Sequence, residues 1–497
     1  MSASPESESE TERLINETTS LCRDCTNAIP AQVLAIGGEV WMRKRCPEHG
    51  PQEVRLSTSA QWYEQTRSQK QVHQAPQVVR HDIEHGCPFD CGPCESHTQK
   101  VRLPVVTITS ACNLDCPICY VHNKNDDAFQ MGVAEFERIL AHLVNDHGGE
   151  LDIVNLTGGE PTLHPHLLDF LQLAQQQGIH RVTVCSNGVR LAKEEALVRR
   201  LGELNARIAL SFDTFQREAD YKLQGAQLLP LKLRCLELLE KYNVDTTLIP
   251  VMTAGVNDHE IGEIIEMGMQ LRNVRHIEVH TMTYTGQGGT SFDRSGRIST
   301  CEVLQRIEQT TAGLLRVDDF VSSPCAHPLC YQIAYLLVDP QGGLPIPFTR
   351  FMSREAVYAA LADRLYLEPT AKLEEALREA MFRLWSDGGE DSERTLRLLR
   401  KLLLDMFPTD RTLTPKEAMQ VGERAVKAIY IHSHMDEETF DVERAVDCCD
   451  SNCYADGSTI PVCNYNVLVR EKEARFNESP KPWNERRGGQ KSLPILR

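Results

Sequence analysis

Residues 103–120 read LPVVTITSACNLDCPICY, an apolar, β-branched run that opens into a loop carrying Cys112, Cys116 and Cys119. The run Leu103–Thr109 has the composition of a buried strand. Three thiolates on one short loop, spaced three and then two residues apart, can bind three irons of a [4Fe–4S] cube. The fourth iron is then left without a nearby protein ligand. Taken alone, the triplet reads equally well as a structural zinc knuckle.

The sequence that follows separates the two readings. Strand-like runs recur at Leu151–Leu156, Arg181–Cys185, Arg207–Phe212, Thr246–Met252 and His276–Met282. Helical patterns alternate with them at Val133–Asn145, Pro165–Gln176, Lys193–Leu204, Pro230–Tyr242 and His259–Leu271. Six strands separated by helices predict an α/β fold, a parallel sheet or partial barrel over residues 103–290, with active-site loops at the strand C-termini. Successive strand ends carry Thr157-Gly158-Gly159-Glu160-Pro161, then Ser186-Asn187-Gly188, then Ser211 and Asp213. Small residues allow close backbone approach, and Glu160 can accept from an ammonium. Ser186, Asn187, Ser211 and Asp213 offer polar groups to a ribose or an amino acid. A Gly-Gly pair alone is usually only a turn. In this order, after the three cysteines, the motifs point to an open iron chelated by the amino and carboxylate groups of S-adenosylmethionine (SAM). Electron transfer into the sulfonium would cleave a C–S bond and release a 5′-deoxyadenosyl radical.

Composition narrows the partners. A formal charge of −17 over 497 residues argues against nucleic acid, because phosphate binding needs a surplus of Lys and Arg. It also disfavours adsorption to an anionic membrane by charge alone. Residues 1–18 read as a disordered acidic tail with no signal-peptide core, and residues 477–497 as a polar tail. No uninterrupted apolar run is long enough to span a bilayer. The expected location is therefore cytoplasmic, where 18 cysteines read as metal ligands and not as disulfides.

Further cysteine groups surround the central one. Cys22-x₂-Cys25 and Cys46-Pro-Glu-His49, within a module spanning residues 19–60, can build one tetrahedral site of three sulfurs and an imidazole. Zinc is favoured there, with iron as the rival. Cys87, Cys91 and Cys94, in a segment spanning 80–102, repeat the three-two spacing and read as a second four-iron cluster. A late pool falls in a C-terminal region spanning 300–470, and four of its members would ligate a third cluster. Cys325, Cys330, Cys448 and Cys463 are the chosen set, with Cys449 a near-equal substitute for Cys448. Cys185, Cys235 and Cys301 are isolated and read as ordinary thiols.

These residues resemble the radical SAM superfamily. Across nearly the whole chain, the sequence is similar to the tetraether lipid synthase family of radical SAM enzymes. The matching segments are Cys46-Pro-Glu-His49-Gly50, Gly86-Cys87-Pro-Phe-Asp-Cys91-Gly-Pro-Cys94, Cys112–Cys119, His327-Pro-Leu-Cys330-Tyr331 and Asp456-Gly-Ser-Thr-Ile-Pro-Val-Cys463. One departure is Ile118, where the superfamily often has an aromatic residue; Tyr120 follows instead. The resemblance implies a partial (β/α)₆ barrel whose SAM cluster sits on Cys112, Cys116 and Cys119, with methionine bound at Gly158–Glu160. It also implies a rubredoxin-like N-terminal metal site, three four-iron clusters and a C-terminal helical, auxiliary-cluster region. The implied activity is C–C coupling between the ends of two lipid alkyl chains. Members have also been described as methyltransferases acting on a pterin precursor, which keeps a small-molecule substrate as the alternative. A reduced ferredoxin- or flavodoxin-type protein is the expected electron donor. A zinc-binding scaffold without catalysis is the reading from outside enzymology.

A charged helical region is predicted over about Arg354 to Ile431. Within it, Leu396–Phe407 forms an amphipathic pattern that could touch a membrane or lipid tail peripherally, although packing on the protein's own core is the commoner use. His276 and His280 share one side of the sixth strand and could line the pocket near adenine or substrate, although histidines packed in the core are at least as common. Tyr284, Thr285 and Gly286 follow as adenosine contacts by position.

Overall fold

The computed structural model describes residues 12–473 apart from residues 81, 93, 122–127, 150, 152, 340, 362–365, 388–389 and 471–472. The N-terminal module is an antiparallel sheet in the order β1 (Arg13–Leu21), β2 (Ala28–Ile36), β3 (Glu39–Cys46) and β4 (Gly50–Ser57). In β3, Val40, Met42, Lys44 and Cys46 alternate inward, as a strand with one covered face requires. The acidic tail expected over residues 1–18 is therefore too long. Arg13–Thr18 pair with Thr18↔Ala31 and neighbouring residues of β2, because backbone pairing and burial of an apolar neighbour outweigh local polarity. Residues 1–11, and the polar tail at 477–497, lie outside the described residues.

The central unit follows the expected alternation. Six parallel strands, β5 (Leu103–Thr109), β6 (Ile153–Gly158), β7 (Arg181–Ser186), β8 (Arg207–Ser211), β9 (Thr246–Ile249) and β11 (Val274–Thr281), stand side by side in chain order. A short β10 (Val251–Met252) pairs with β11. Helices cover the outer face. In Val133–Asp146, residues Phe136, Ile139, Leu140 and Leu143 are buried at helical spacing, and the Phe136 ring lies 4.5 Å from that of Phe170 on the next helix.

The C-terminal region does more than append helices. β12 (Val321–Ser322), β13 (Tyr331–Leu337) and β14 (Ile346–Pro347) lead to β15 (Val426–His432), which pairs parallel to β11. β13 then lies antiparallel to β15. At the opposite edge, β16 (Asp450–Cys453) pairs parallel to β5, and β17 (Thr459–Pro461) pairs with β16. Both edges of the six-stranded sheet are thus covered by strands from the last hundred residues or so, which removes two exposed ladders of unpaired N–H and C=O groups.

The helical region predicted to Ile431 stops at Ala425, because Val426–His432 is a strand buried at every residue. Its β-branched and aromatic residues suit a strand covered on both faces, and the charged helices before it concealed that signal. The helix Glu390–Met406 packs inward: Leu398, Leu399, Leu402, Leu403 and Met406 are buried in one apolar cluster with residues of β13 and β15. The amphipathic stripe is core, not a membrane face. Among the described residues, no helix is long and apolar enough to cross a membrane.

Candidate active site and metal centres

The loop after β5 is held from three sides. Ile118 N donates to Leu223 O at 3.1 Å, and Cys119 N closes a turn onto Cys116 O at 3.0 Å. From the loop after β11, Gln287 Nε2 donates to Cys116 O at 2.9 Å and Gly288 N to Cys119 O at 2.9 Å. Cys112 is buried and Cys116 and Cys119 are half-buried. Burial raises the Cys112 thiol to about 12 and Cys116 well above its ordinary value. These groups become thiolates only when a metal supplies the compensating charge.

Glycine is required at the end of β6. Gly158 has φ +146°, and a Cβ there would lie 2.0 Å from Thr109 O; a Cβ on Gly159 would lie 2.2 Å from Ala111 O. Gly159 N and Glu160 N donate to those same carbonyls at 2.8 and 2.7 Å. The two strand ends are fused at the cysteine loop.

Glu160 was expected to meet a ligand ammonium, but its oxygens serve the protein. Oε1 accepts from Thr162 N, Thr162 Oγ1 and Ser186 Oγ, and Oε2 accepts from Asn187 N at 2.7 Å. The carboxylate ties the end of β6 to the end of β7. Asn187 Nδ2 in turn donates to Asn113 Oδ1 at 2.7 Å, inside the cysteine loop. At the end of β8, Asp213 accepts from Val251 N at 2.8 Å and from Gln224 Nε2, while Cys116 Sγ donates to Gln224 Oε1 at 3.2 Å.

Lys232 completes this side and carries no motif in the sequence. It lies on the helix Leu229–Lys241, almost fully buried, with Nζ donating to Ser211 O at 2.6 Å and Ser211 Oγ at 2.7 Å. Burial pulls the ammonium below its ordinary value, while the Asp213 and Cys116 charges pull back. A buried lysine on an otherwise leucine-rich face was the available signal.

The two histidines of β11 part company. His276 Nδ1 meets Arg207 Nη1 at 3.0 Å near the bottom of the sheet, and burial with Arg207 and Arg181 holds it well below its ordinary value. It is a packed core histidine, away from the strand C-termini. His280 sits near the top, beside Glu278, His432 and His434. Tyr284, expected near adenine, is buried with Arg297 over its ring at 4.7 Å, and its N–H donates to Asp436 at 3.2 Å. Thr285 Oγ1 is buried without a hydrogen-bond partner among the described residues. Gly286 packs against Tyr120 of the cysteine loop.

In the N-terminal module the donors gather tightly. Cys25 and Cys46 sulfurs are 3.9 Å apart, and His49 Nδ1 is 3.5 Å from Cys46 Sγ and 3.7 Å from Cys22 Sγ. Bonds of about 2.3 Å to one tetrahedral ion imply sulfur separations of roughly 3.8 Å, so the set fits a single ion. Burial opposes ionisation of Cys22, but N–H groups of Cys25 and Asp24 and the Gln52 amide outweigh it and bring the thiol down to about 6. Among the described residues, the only other set of three donors within 4.8 Å of one another is His280, His432 and His434. The cysteine triplets are spaced more widely, as a multi-iron cube needs.

The late cysteines divide. Cys330, Cys448, Cys449 and Cys463 line one small enclosed pocket with Asp450 and Arg444. Cys325 lies beside that pocket, its thiol 3.3 Å from Ser323 Oγ and hydrogen-bonded to Cys449, so Cys449 joins Cys448 at the pocket and Cys325 stands next to it. Cys91 Sγ receives Asn464 Nδ2 at 2.8 Å, which sets the Cys87, Cys91, Cys94 loop next to Cys463. Cys453 and Cys235 are core thiols.

Residues 106–268 match the family model "Radical SAM superfamily". That segment is a radical SAM domain. Residues 14–58 match "HMPTM N-terminal zinc ribbon domain", in keeping with the small rubredoxin-like metal module expected there. This radical SAM enzyme is 28% identical to a 7,8-dihydro-6-hydroxymethylpterin dimethyltransferase of Methanocaldococcus jannaschii, over 94% of this chain and 96% of the relative. It is 31% identical to a GTP 3',8-cyclase of Chlorobaculum tepidum over 33% of this chain and 48% of the relative. Among solved structures, Streptococcus suis SuiB bound to precursor peptide SuiA aligns with 44% of this chain and 46% of its own at 16% identity and TM-score 0.36. The radical SAM enzyme thus uses a [4Fe–4S] cluster and SAM, and carries an N-terminal metal site.

Proposed function

We propose that this radical SAM enzyme is a methyltransferase acting on a pterin or a closely related small heterocycle. The observation that carries the reading is the reach of the similarity to the pterin dimethyltransferase, which runs through the ribbon, the barrel and the late cysteines. Coupling of lipid alkyl chains, the first expectation from the sequence, gains nothing comparable. The helix offered as a lipid contact is buried on the protein's own core.

In this reading Cys112, Cys116 and Cys119 hold the SAM cluster. The donor set fits: three thiols on one pinned loop, beside a buried lysine suited to a carboxylate and glycines that no side chain could replace. The bound group supplies a 5′-deoxyadenosyl radical by reductive cleavage of SAM. Lys232, anchored on Ser211, holds the carboxylate of the methionine moiety, with Ser211 and Asp213 shaping that wall. Gly158 and Gly159 supply close backbone approach. Glu160 positions Ser186 and Asn187 and does not itself carry the ligand. Cys87, Cys91 and Cys94, and Cys330, Cys448, Cys449 and Cys463, hold auxiliary clusters, the electrons arriving from a small reduced donor protein. The working units are a ribbon over residues 13–57 and a barrel over 103–281 completed by β15 and β16.

The test is anaerobic incubation of cluster-loaded protein with SAM, a strong reductant and 7,8-dihydro-6-hydroxymethylpterin, followed by mass spectrometry. Methylated pterin together with 5′-deoxyadenosine is the expected result. SAM cleavage with an unmodified pterin, and joined alkyl chains when lipid extract is added, would overturn the proposal.

A further inference from the structure

The top of β11 and the end of β15 bring together three imidazoles; His432 and His434 also line the pocket of Cys330, Cys448, Cys449 and Cys463, whereas His280 does not. His280 and His432 are direct partners in the parallel ladder. His434 lies two residues beyond, so the extended-chain period keeps it on the side of His432. Ring centroids are 5.3 Å apart for His280 and His432, 5.2 Å for His280 and His434, and 3.9 Å for His432 and His434. One nitrogen from each ring lies within 4.8 Å of the other two.

We propose that His280, His432 and His434 bind one divalent transition-metal ion, distinct from the ribbon ion and from the iron–sulfur clusters. Imidazole donors suit zinc and the later first-row metals. A three-histidine set leaves a fourth position for water or a substrate atom, as catalytic zinc sites do.

The surroundings match what such a site needs. Glu278 Oε1 lies 3.1 Å from His280 Nε2 and 3.6 Å from His432 Nδ1, and Asp450 Oδ2 lies 3.7 Å from His432 Nε2. Both nitrogens of His432 face a carboxylate, so whichever one binds the ion leaves the other backed by a carboxylate, which fixes ring orientation and raises ligand basicity. Tyr331 stacks on His432 with centroids 3.9 Å apart and donates its hydroxyl to Asp450, so both the ring and its carboxylate neighbour are held. Among the described residues, no hydrogen bond joins any two of the three rings. Three such rings converging at a barrel mouth gain little from one another, whereas an ion would satisfy all three. The competing use is for His432 and His434, which both line the neighbouring cysteine pocket, to serve that pocket, with His434 Nδ1 3.8 Å from Cys463 Sγ.

The proposal stands whether or not the substrate is a pterin, because its readout is metal content. Full-length, cluster-loaded protein is stripped of labile ions with chelator and titrated anaerobically with Co²⁺. Two equivalents are expected in the wild type: one at the ribbon with an intense thiolate-to-metal band, and one with only weak visible bands from nitrogen donors. His280→Gln and His434→Gln should each lose the second equivalent, with iron and sulfide unchanged. Uptake of a single, thiolate-coloured equivalent by the wild type would overturn the proposal. So would loss of iron and sulfide in His434→Gln while His280→Gln keeps both cobalt ions, which would make His434 a cluster ligand.

Discussion

Lys232 illustrates how a single residue can acquire a function from its surroundings. An ammonium enclosed beside Cys116 and fastened to Ser211 forgoes much of its hydration, a cost met here by two hydrogen bonds and by nearby Asp213. A bound carboxylate would add a charge-assisted hydrogen bond, worth about 1.5–3 kcal/mol. Lys232→Met should therefore weaken SAM binding roughly 10- to 100-fold, with iron content unchanged. Equilibrium dialysis of labelled SAM reads this directly; unaltered affinity would reduce Lys232 to a prop for β8. Cys22 supports a prediction in pH. Its folded value of about 6 lies below the ordinary 9.0, so the thiolate is held above about pH 6 and lost as pH falls through it. Metal uptake by the metal-free ribbon should drop over that interval, followed with a chromophoric chelator, because the proton competes for the ligand atom.

Among the elements, β15 shows what neighbouring strands demand of a sequence. Lys427, the second residue of β15, is buried and donates to the carbonyls of Gly268, Met269 and Leu271 at 2.6, 3.0 and 2.6 Å. The carbonyls of Gly268 and Met269 lie in the last turn of the helix Ile261–Gln270, where intrahelical donors run out, and that of Leu271 follows it and also accepts from Val274 N at 3.3 Å. Lys427→Met keeps the length and loses all three bonds, and should cost about 1–3 kcal/mol in urea unfolding, the penalty of leaving buried acceptors unpaired. The strand was hidden in the sequence because it follows charged helices without a turn signal. Strands β5 to β11, each bounded by loop residues and separated by helices, were legible to within about two residues in most cases, since each buries a continuous apolar run.

The whole molecule is held as one unit by contacts between distant parts of the chain. Glu423, at the end of the helix Pro415–Ala425, pairs with Arg181 of β7 and Arg207 of β8, each at 2.5 Å, with all three side chains buried or nearly so. Glu423→Ala would strand two buried guanidinium groups and should cost about 3–5 kcal/mol, read as a lower midpoint in thermal or urea unfolding. The ribbon is fastened in a similar way, through Lys44 Nζ to Ser20 Oγ and to the carbonyls of Glu437 and Glu438 at 2.7–2.9 Å.

Local patterning alone determined that the central segment is an α/β barrel and that cysteine groups at short spacing are able to hold metals. Both follow from short-range rules: strand and helix periods, and the reach of a loop carrying three thiols. Which late cysteines share a pocket, that Glu160 binds the protein's own donors, and that His276 and His280 lie at opposite ends of their strand were decided only by the tertiary structure. Those outcomes depend on residues hundreds of positions apart meeting across the sheet, at β15 beside β11 and β16 beside β5, and no local spacing encodes such a meeting.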